Sequence, residues 1–377
     1  MIEVVITKIP IKYASYFQYL ILGFYELARK SEIKFKIYPA KLSDRIFLRL
    51  LGVIAVLKTI FKIRNFPTNE YCLEGFIIDR EREIKFCYDI ADTPYYYDID
   101  KLISVDIYFK AQCPIDITEK GFKLGNDVVM PFHPDVLINK RKILPSMLGP
   151  GLMTHNIFSF RRLRKGYESI LLYNDKKDGI LMCYFGNSKG PRPVYSENPD
   201  LTNNENHLLA YYGNRISHPN EKRGLAAKLI SSMGKSYDGR IINEGNSGTS
   251  DRPSNEHLII PLKDYSAHIA RFQYNLNISG KRLSIPYRFI FSFAVGTAII
   301  TDKLSVKWYK PFGKEVIETI EMGYLKNDEV NWNQFSESIK NLPKVTAEEI
   351  RKEFHEKWEP EAFARYIVST CLNKAEE

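Results

Sequence analysis

The hydrophobic and polar positions at the start of the chain change period within forty residues. EVVITK (3–8) reads as a short strand, YFQYLILGFYELARK (16–30) as a helix, and KFKIYP (34–39) as a second strand. That order predicts the opening of a parallel sheet with crossover helices. GFIIDR (75–80) and IKFCYDIAD (84–92) are strand-like, the loop TPYYYDID follows, and VDIYFKAQ (105–112) is a further strand. VVMPFHP closes another β run near residue 134. Pro145, Gly149, Pro150 and Gly151 then interrupt the pattern ahead of FRRLRKGY, which predicts a connector between two units.

A second α/β pattern begins after that connector. GILMCYFGN is a strand running into a Gly loop, KRGLAAKLISSMGK a helix, and GRIINEG a strand. LKDYSAHIARF is helical, YNLNISG a strand, YRFIFSFAVG a helix, TAIITD a strand and KEVIETI strand-like. NWNQFSESIKNL is a helix, and TAEEIRKEFHEKWEPEAFARYIVSTCL is helical on both sides of Pro360. We therefore expect two tandem α/β units, 1–150 and 151–345, and a helical C-terminal segment, 346–377. Ligands of open α/β sheets bind outside the carboxyl ends of the strands, so the expected site is the cleft between the units.

Length fits this division, because 377 residues correspond to about two domains. The 24 tyrosines are numerous enough to line a polar cleft as well as fill cores. A net charge of +9 favours an anionic partner: a nucleotide, a nucleic acid or an anionic membrane surface. Five scattered cysteines with no Cys-x-x-Cys argue against a disulfide framework or a zinc site and fit a reducing cytoplasm. The first residues lack the pattern of a signal peptide, and no run approaches the roughly 18 apolar residues of a membrane span. Segment 45–66 is apolar with Arg45, Arg49, Lys58, Lys62 and Arg64 toward its ends. It reads either as a buried helix with solvated ends or as an interfacial helix that touches anionic lipid.

Basic loops recur where strands run into helices. FGNSKGPRP carries Gly186 and Arg192, and NRISHPNEKRG carries His218, Lys222 and Arg223. LNISGKRLSIPYR brings Gly280, Ser284 and Arg288 to the start of a helix, and Gly296 closes that helix. Such loops would converge on one sheet edge, and a diphosphate is the simplest ligand for them. Pairing of Arg288 with a surface carboxylate is the alternative. No GxxxxGK[ST] and no GxGxxG occur, which argues against a P-loop ATPase and a dinucleotide dehydrogenase.

The order FGN, HPNEKR, YSAHIARFQYNLNISG and SIPYRFIFSFAVGTAIITD, over about residues 180–312, resembles the C-terminal half of exostosin-like and capsule-associated O-glucosyltransferases. DIYFKAQCP is similar to a segment of bacterial members. The resemblance implies a GT-B fold: two facing Rossmann-like domains, the donor held by the second, and a C-terminal helix crossing back to the first. It implies transfer of a sugar from a nucleotide-diphosphate sugar to a surface glycan of capsule, lipopolysaccharide or O-antigen type. No cofactor beyond the donor and no metal are expected. The expected location is the cytoplasm, with peripheral contact at the inner membrane face through 45–66, and no nucleic-acid partner. The alternatives are a non-catalytic nucleic-acid-binding protein and a membrane-peripheral binding protein.

Sugar transfer needs a base for the acceptor hydroxyl and stabilisation of the leaving diphosphate. Arg223 and Arg288 are the expected phosphate ligands, with Lys222 and Arg192 behind them. His218 suits a phosphate contact, and Tyr265 would stack on the base or touch the ribose. For an inverting enzyme the base comes from the N-terminal domain. Asp92 is the first candidate because it begins a loop at a strand end; capping of the turn before Thr93–Pro94 is its other reading. His133 in PFHP is the second candidate. DID at 98–100 matches an Asp-x-Asp metal motif formally only.

Overall fold

The computed structural model describes residues 1–10, 13–38, 71–124, 128–152, 157–171, 177–185, 219–234, 236–243, 259–261, 264–280, 282–322 and 330–374. Segment 45–66 and the residues Gly186, Arg192 and His218 lie outside this set. Among the described residues, no helix is long and apolar enough to cross a membrane.

The first unit is built on β1 (Glu3–Lys8), α1 (Ala14–Arg29), β2 (Lys34–Ile37), β3 (Cys72–Asp79), β4 (Arg82–Asp89), α2 (Ile99–Ser104) and β5 (Ile107–Lys110). β6 (Cys113–Pro114), β7 (Phe122–Lys123), β8 (Val129–Met130), α3 (Pro134–Ile138) and β9 (Ile143–Pro145) follow. Its sheet has the order β2-β1-β3-β4-β5-β9. β3 runs antiparallel to both neighbours, and the remaining pairs are parallel. The β3–β4 hairpin turns at Asp79–Arg82, too short a connection for a crossover. The expected parallel sheet is therefore mixed. α4 (Phe160–Glu168) lies beyond the expected boundary at 150 yet belongs to this side, since Arg164 pairs with Glu26 of α1 at 2.7 Å.

The second unit contains β10 (Lys177–Phe185), α5 (Pro219–Ser232), β11 (Tyr237–Asn243), β12 (Ile259–Pro261), α6 (Tyr265–Ile269) and β13 (Phe272–Asn277). α7 (Arg288–Ala294), β14 (Ala298–Thr301), β15 (Val306–Lys307), β16 (Val316–Glu318) and α8 (Trp332–Lys340) complete it. The strand order is β12-β11-β10-β13-β14-β16, and every pair is parallel. Numbered within the unit this is 3-2-1-4-5-6, the doubly wound order, with its switch point between β10 and β13. Strands buried on both faces are continuously apolar, as Ala298–Ile300 shows. The helical run expected over 262–272 is shorter: Phe272 already belongs to β13.

α7 ends as its sequence predicts. Gly296 has φ +74°, its N–H donates to Phe293 O at 3.0 Å, and the Thr297 N–H donates to Ser292 O at 2.8 Å. That is a Schellman close, which returns the chain directly into β14.

The C-terminal segment serves both units. α9 (Ala347–Glu353) is started by a capping box from Thr346 and Glu349, and a π turn (Phe354–Trp358) follows. Trp358 is fully buried among Phe293, Trp308 and Phe312 of the second unit. After Pro360, α10 (Pro360–Lys374) packs on α1 of the first. The crossing thus falls at Pro360, with 347–358 staying on the second unit. α1 is apolar over most of its circumference because the sheet covers one side and α10 another. Gly23 permits the close approach: a Cβ there would sit 1.9 Å from Pro360 O.

Candidate functional site between the two sheet edges

The carboxyl edges of both sheets meet around one loop, residues 282–287. Gln112, two residues past β5 and fully buried, grips that loop at two points. Its side-chain oxygen accepts the Ile285 N–H at 2.8 Å, and its amide donates to Ile285 O at 2.8 Å. Arg282 donates to the Thr93 hydroxyl at 3.0 Å. β6 pairs with β15 antiparallel, and Lys307 donates to Ile115 O at 2.8 Å. The Ser284 side chain faces the Asp92 carboxylate, near enough to favour its ionised form. Within the loop, Leu283 adopts φ +56°, a left-handed conformation that a branched residue takes only when its surroundings enforce it.

Asp92 lies three residues past the end of β4 and faces Arg282 and Arg288 of the second unit. Its side chain is exposed to solvent in the cleft. Burial raises its pKa above the usual carboxylate value, and the Ser284 hydroxyl, Arg282, Arg288 and Lys110 partly oppose that rise. A carboxylate with a raised pKa in a cleft is suited to take a proton from a hydroxyl.

Beneath Asp92 lies a buried polar network. Lys110 and Asp89 form an ion pair at 2.7 Å with 0% and 1% exposure. The Tyr108 hydroxyl donates to the same Asp89 oxygen at 2.7 Å, and the other oxygen accepts the Ala91 N–H at 2.7 Å.

On the second edge, Arg288 is not at the surface. It is buried, and Nε donates to the Asn277 side-chain oxygen at 2.7 Å, with a second guanidinium nitrogen on the same oxygen. The expected phosphate fork is thus turned back onto the end of β13. Asp302, at the end of β14, accepts the Ser279 N–H at 2.8 Å and its hydroxyl at 2.9 Å. Arg223 reaches over the same strand end and donates to Ile278 O at 3.0 Å. Among the described residues, a Cβ on Gly280 would meet nothing within 4 Å.

Three other expectations are corrected. Tyr265 is fully buried, edge-on to Phe291, and has no face for a nucleotide. Lys222 is buried, and its ammonium donates to Met322 O at 2.6 Å. His133 is the N-cap of α3, its Nδ1 accepting the Asp135 N–H at 3.3 Å and standing 3.3 Å from the Asp135 carboxylate, so that nitrogen is engaged locally. Asp98 of the DID motif likewise caps α2 through the Lys101 N–H. Among the described residues, no group of three or more His, Cys, Asp or Glu could hold a metal ion.

The structure thus brings Asp92, Ser284 and Arg288 into one neighbourhood with Arg223 and Gly280 at the same strand end. Lys110, Gln112, Asn277 and Asp302 were not singled out from the sequence. Lys110 carried a readable signal: a lysine closing the apolar strand IYFK.

No protein-family model matches the chain, and no curated protein matches it in sequence. Among solved structures it is similar to the GtfA/B complex, with 9% identity and a TM-score of 0.37 over 81% of this chain. The chain spans 65% of the length of that match. It is also similar to TarM, with 7% identity and a TM-score of 0.43 over 99% of this chain and 98% of TarM. WaaG, a glycosyltransferase involved in lipopolysaccharide biosynthesis, shares 11% identity at a TM-score of 0.38, with 97% of each chain covered. At these scores nothing about chemistry follows from the likeness.

Proposed function

We propose that the chain is a glycosyltransferase of GT-B arrangement that moves a sugar from a nucleotide-diphosphate sugar to a surface-glycan acceptor. The observation that carries this reading is the meeting of Asp92 from one sheet edge with Ser284 and Arg282 from the other. One edge supplies a base and the other supplies cations, which are the two things transfer to a hydroxyl requires. In this reading the donor's nucleotide lies over the switch point of the second unit. Its diphosphate meets Arg223 and Arg282 beside Gly280. Arg288 acts from beneath, holding Asn277 and with it the strand end. Asp92 takes the acceptor proton as the hydroxyl attacks the anomeric carbon and the diphosphate leaves. Activity without a divalent metal is part of the proposal, since guanidinium groups can offset the leaving-group charge.

The test is a thermal-shift screen against UDP, GDP, CMP and dTDP and their sugars, with and without magnesium. A ligand of the folded state raises the melting temperature by mass action. A shift with one nucleotide, reduced in Arg223→Ala, supports the donor site. The absence of any shift removes the reading and favours a non-catalytic binding protein.

A further inference from the structure

A buried ion pair is an unpromising source of stability. Its desolvation offsets most of its attraction, and apolar residues of equal volume often serve as well. The placement of Asp89 and Lys110 points to another use. The loop that carries Asp92 runs from Ile90 to Asp98, and this network ties it at both ends. Asp89 accepts the Ala91 N–H at 2.7 Å at the entry. Tyr108, which donates to Asp89 at 2.7 Å, accepts the Asp98 N–H at 3.2 Å at the exit. Lys110 Nζ also stands 5.1 Å from the ring centre of Tyr97 in the same loop. One carboxylate therefore organises the entry and, through Tyr108, the exit of the segment that presents Asp92.

We propose that the Asp89–Lys110–Tyr108 network is the positioning device of Asp92, fixing both ends of its loop and placing a buried cation behind its carboxylate. The proposal rests on the reading of Asp92 as the base. The charged groups that face Asp92 are Lys110 from β5, Arg282 from the 282–287 loop and Arg288 from α7; Ser284 adds its hydroxyl. All four favour the ionised carboxylate against its burial. Loss of the Lys110 charge therefore moves the Asp92 midpoint further up, and the base is ionised over a narrower range at neutral pH.

The test needs no substrate. The chain is labelled with ¹³C at the aspartate carboxyls and titrated by NMR, and the Asp92 signal is assigned by its loss in Asp92→Asn. In Lys110→Met, which removes the cation alone, the Asp92 midpoint is expected to rise by about half a pH unit, whereas in Asp89→Asn/Lys110→Met the two lost charges partly cancel and the rise is smaller. In Tyr108→Phe the ion pair stays, while amide exchange across residues 91–98 is expected to quicken several-fold. An unchanged midpoint in Lys110→Met, with wild-type exchange in Tyr108→Phe, would overturn the proposal. Should Lys110→Met not fold, the Tyr108→Phe exchange rates decide alone. A midpoint shift alongside full turnover in Asp92→Asn would keep the network but remove Asp92 as the base, so the two readings fail separately.

Discussion

The two sheet edges handle buried charge differently. At the first edge, Lys110 and Asp89 lie against each other at 2.7 Å, and the charge offered to the cleft is Asp92, one loop further on. At the second, Arg288 is gripped by the neutral amide of Asn277, and Asp302 by the N–H and hydroxyl of Ser279. The first edge neutralises its interior charges and presents a carboxylate. The second draws Arg288 and Asp302 inward to brace strand ends, and keeps Arg223 and Arg282 half-buried beside the loop. Charge in a catalytic cleft can thus serve presentation or bracing, and the two are separable by what a substitution damages.

The largest effect is expected at the presenting edge. Asp92→Asn should lower transfer by about two to four orders of magnitude, the usual worth of a general base. It should leave nucleotide binding intact, as nucleotide titrations and turnover on one preparation would show. Its effect on stability has the opposite sign. The folded pKa of Asp92 is raised, so the ionised form opposes folding at pH above that pKa, and the penalty fades as pH falls toward the unfolded value. Asp92→Asn should therefore raise Tm slightly at neutral pH and leave it unchanged near pH 3. Lower stability at neutral pH would place Asp92 among the structural turn caps.

At the bracing edge the losses should appear as stability. Arg288→Met leaves the Asn277 side-chain oxygen without its guanidinium donors and should cost about 2–4 kcal/mol in urea denaturation. Wild-type stability with lost nucleotide binding would instead make Arg288 a ligand of the donor. Gln112→Leu breaks both links to Ile285 and should cost about 2 kcal/mol. It should also loosen the 282–287 loop, seen as faster amide exchange there. Gly296→Ala should cost about 1–2 kcal/mol from the left-handed φ, and more from a Cβ placed 2.6 Å from the Ala347 backbone oxygen, which has to move.

Periodicity made most elements legible, because apolar runs bounded by Gly, Pro or Asp mark strands that feed helices. Gly296 was readable as a helix close since only glycine tolerates that φ cheaply. Antiparallel β3 was not, because a mixed pairing leaves no mark in the apolar pattern of one strand. Asp92 and Ser284 were legible as residues at strand ends, but their contact across 192 positions of sequence was not. Arg288 and Tyr265 misled for one reason: residue type suggests a ligand, while burial is decided by neighbours such as Asn277 and Phe291. Lys110 was hidden by its position in an apolar strand, where charge is exceptional and for that reason informative.

The central claim is that both sheet edges serve one site, and hydrogen exchange with bound nucleotide tests it most directly. Amide exchange is measured with and without UDP, GDP, CMP or dTDP at millimolar concentration. The account predicts that one nucleotide slows exchange in 278–288 and 90–93 together, because Arg282 and Thr93 are joined across the cleft. Protection confined to either segment alone, or to neither, would contradict it.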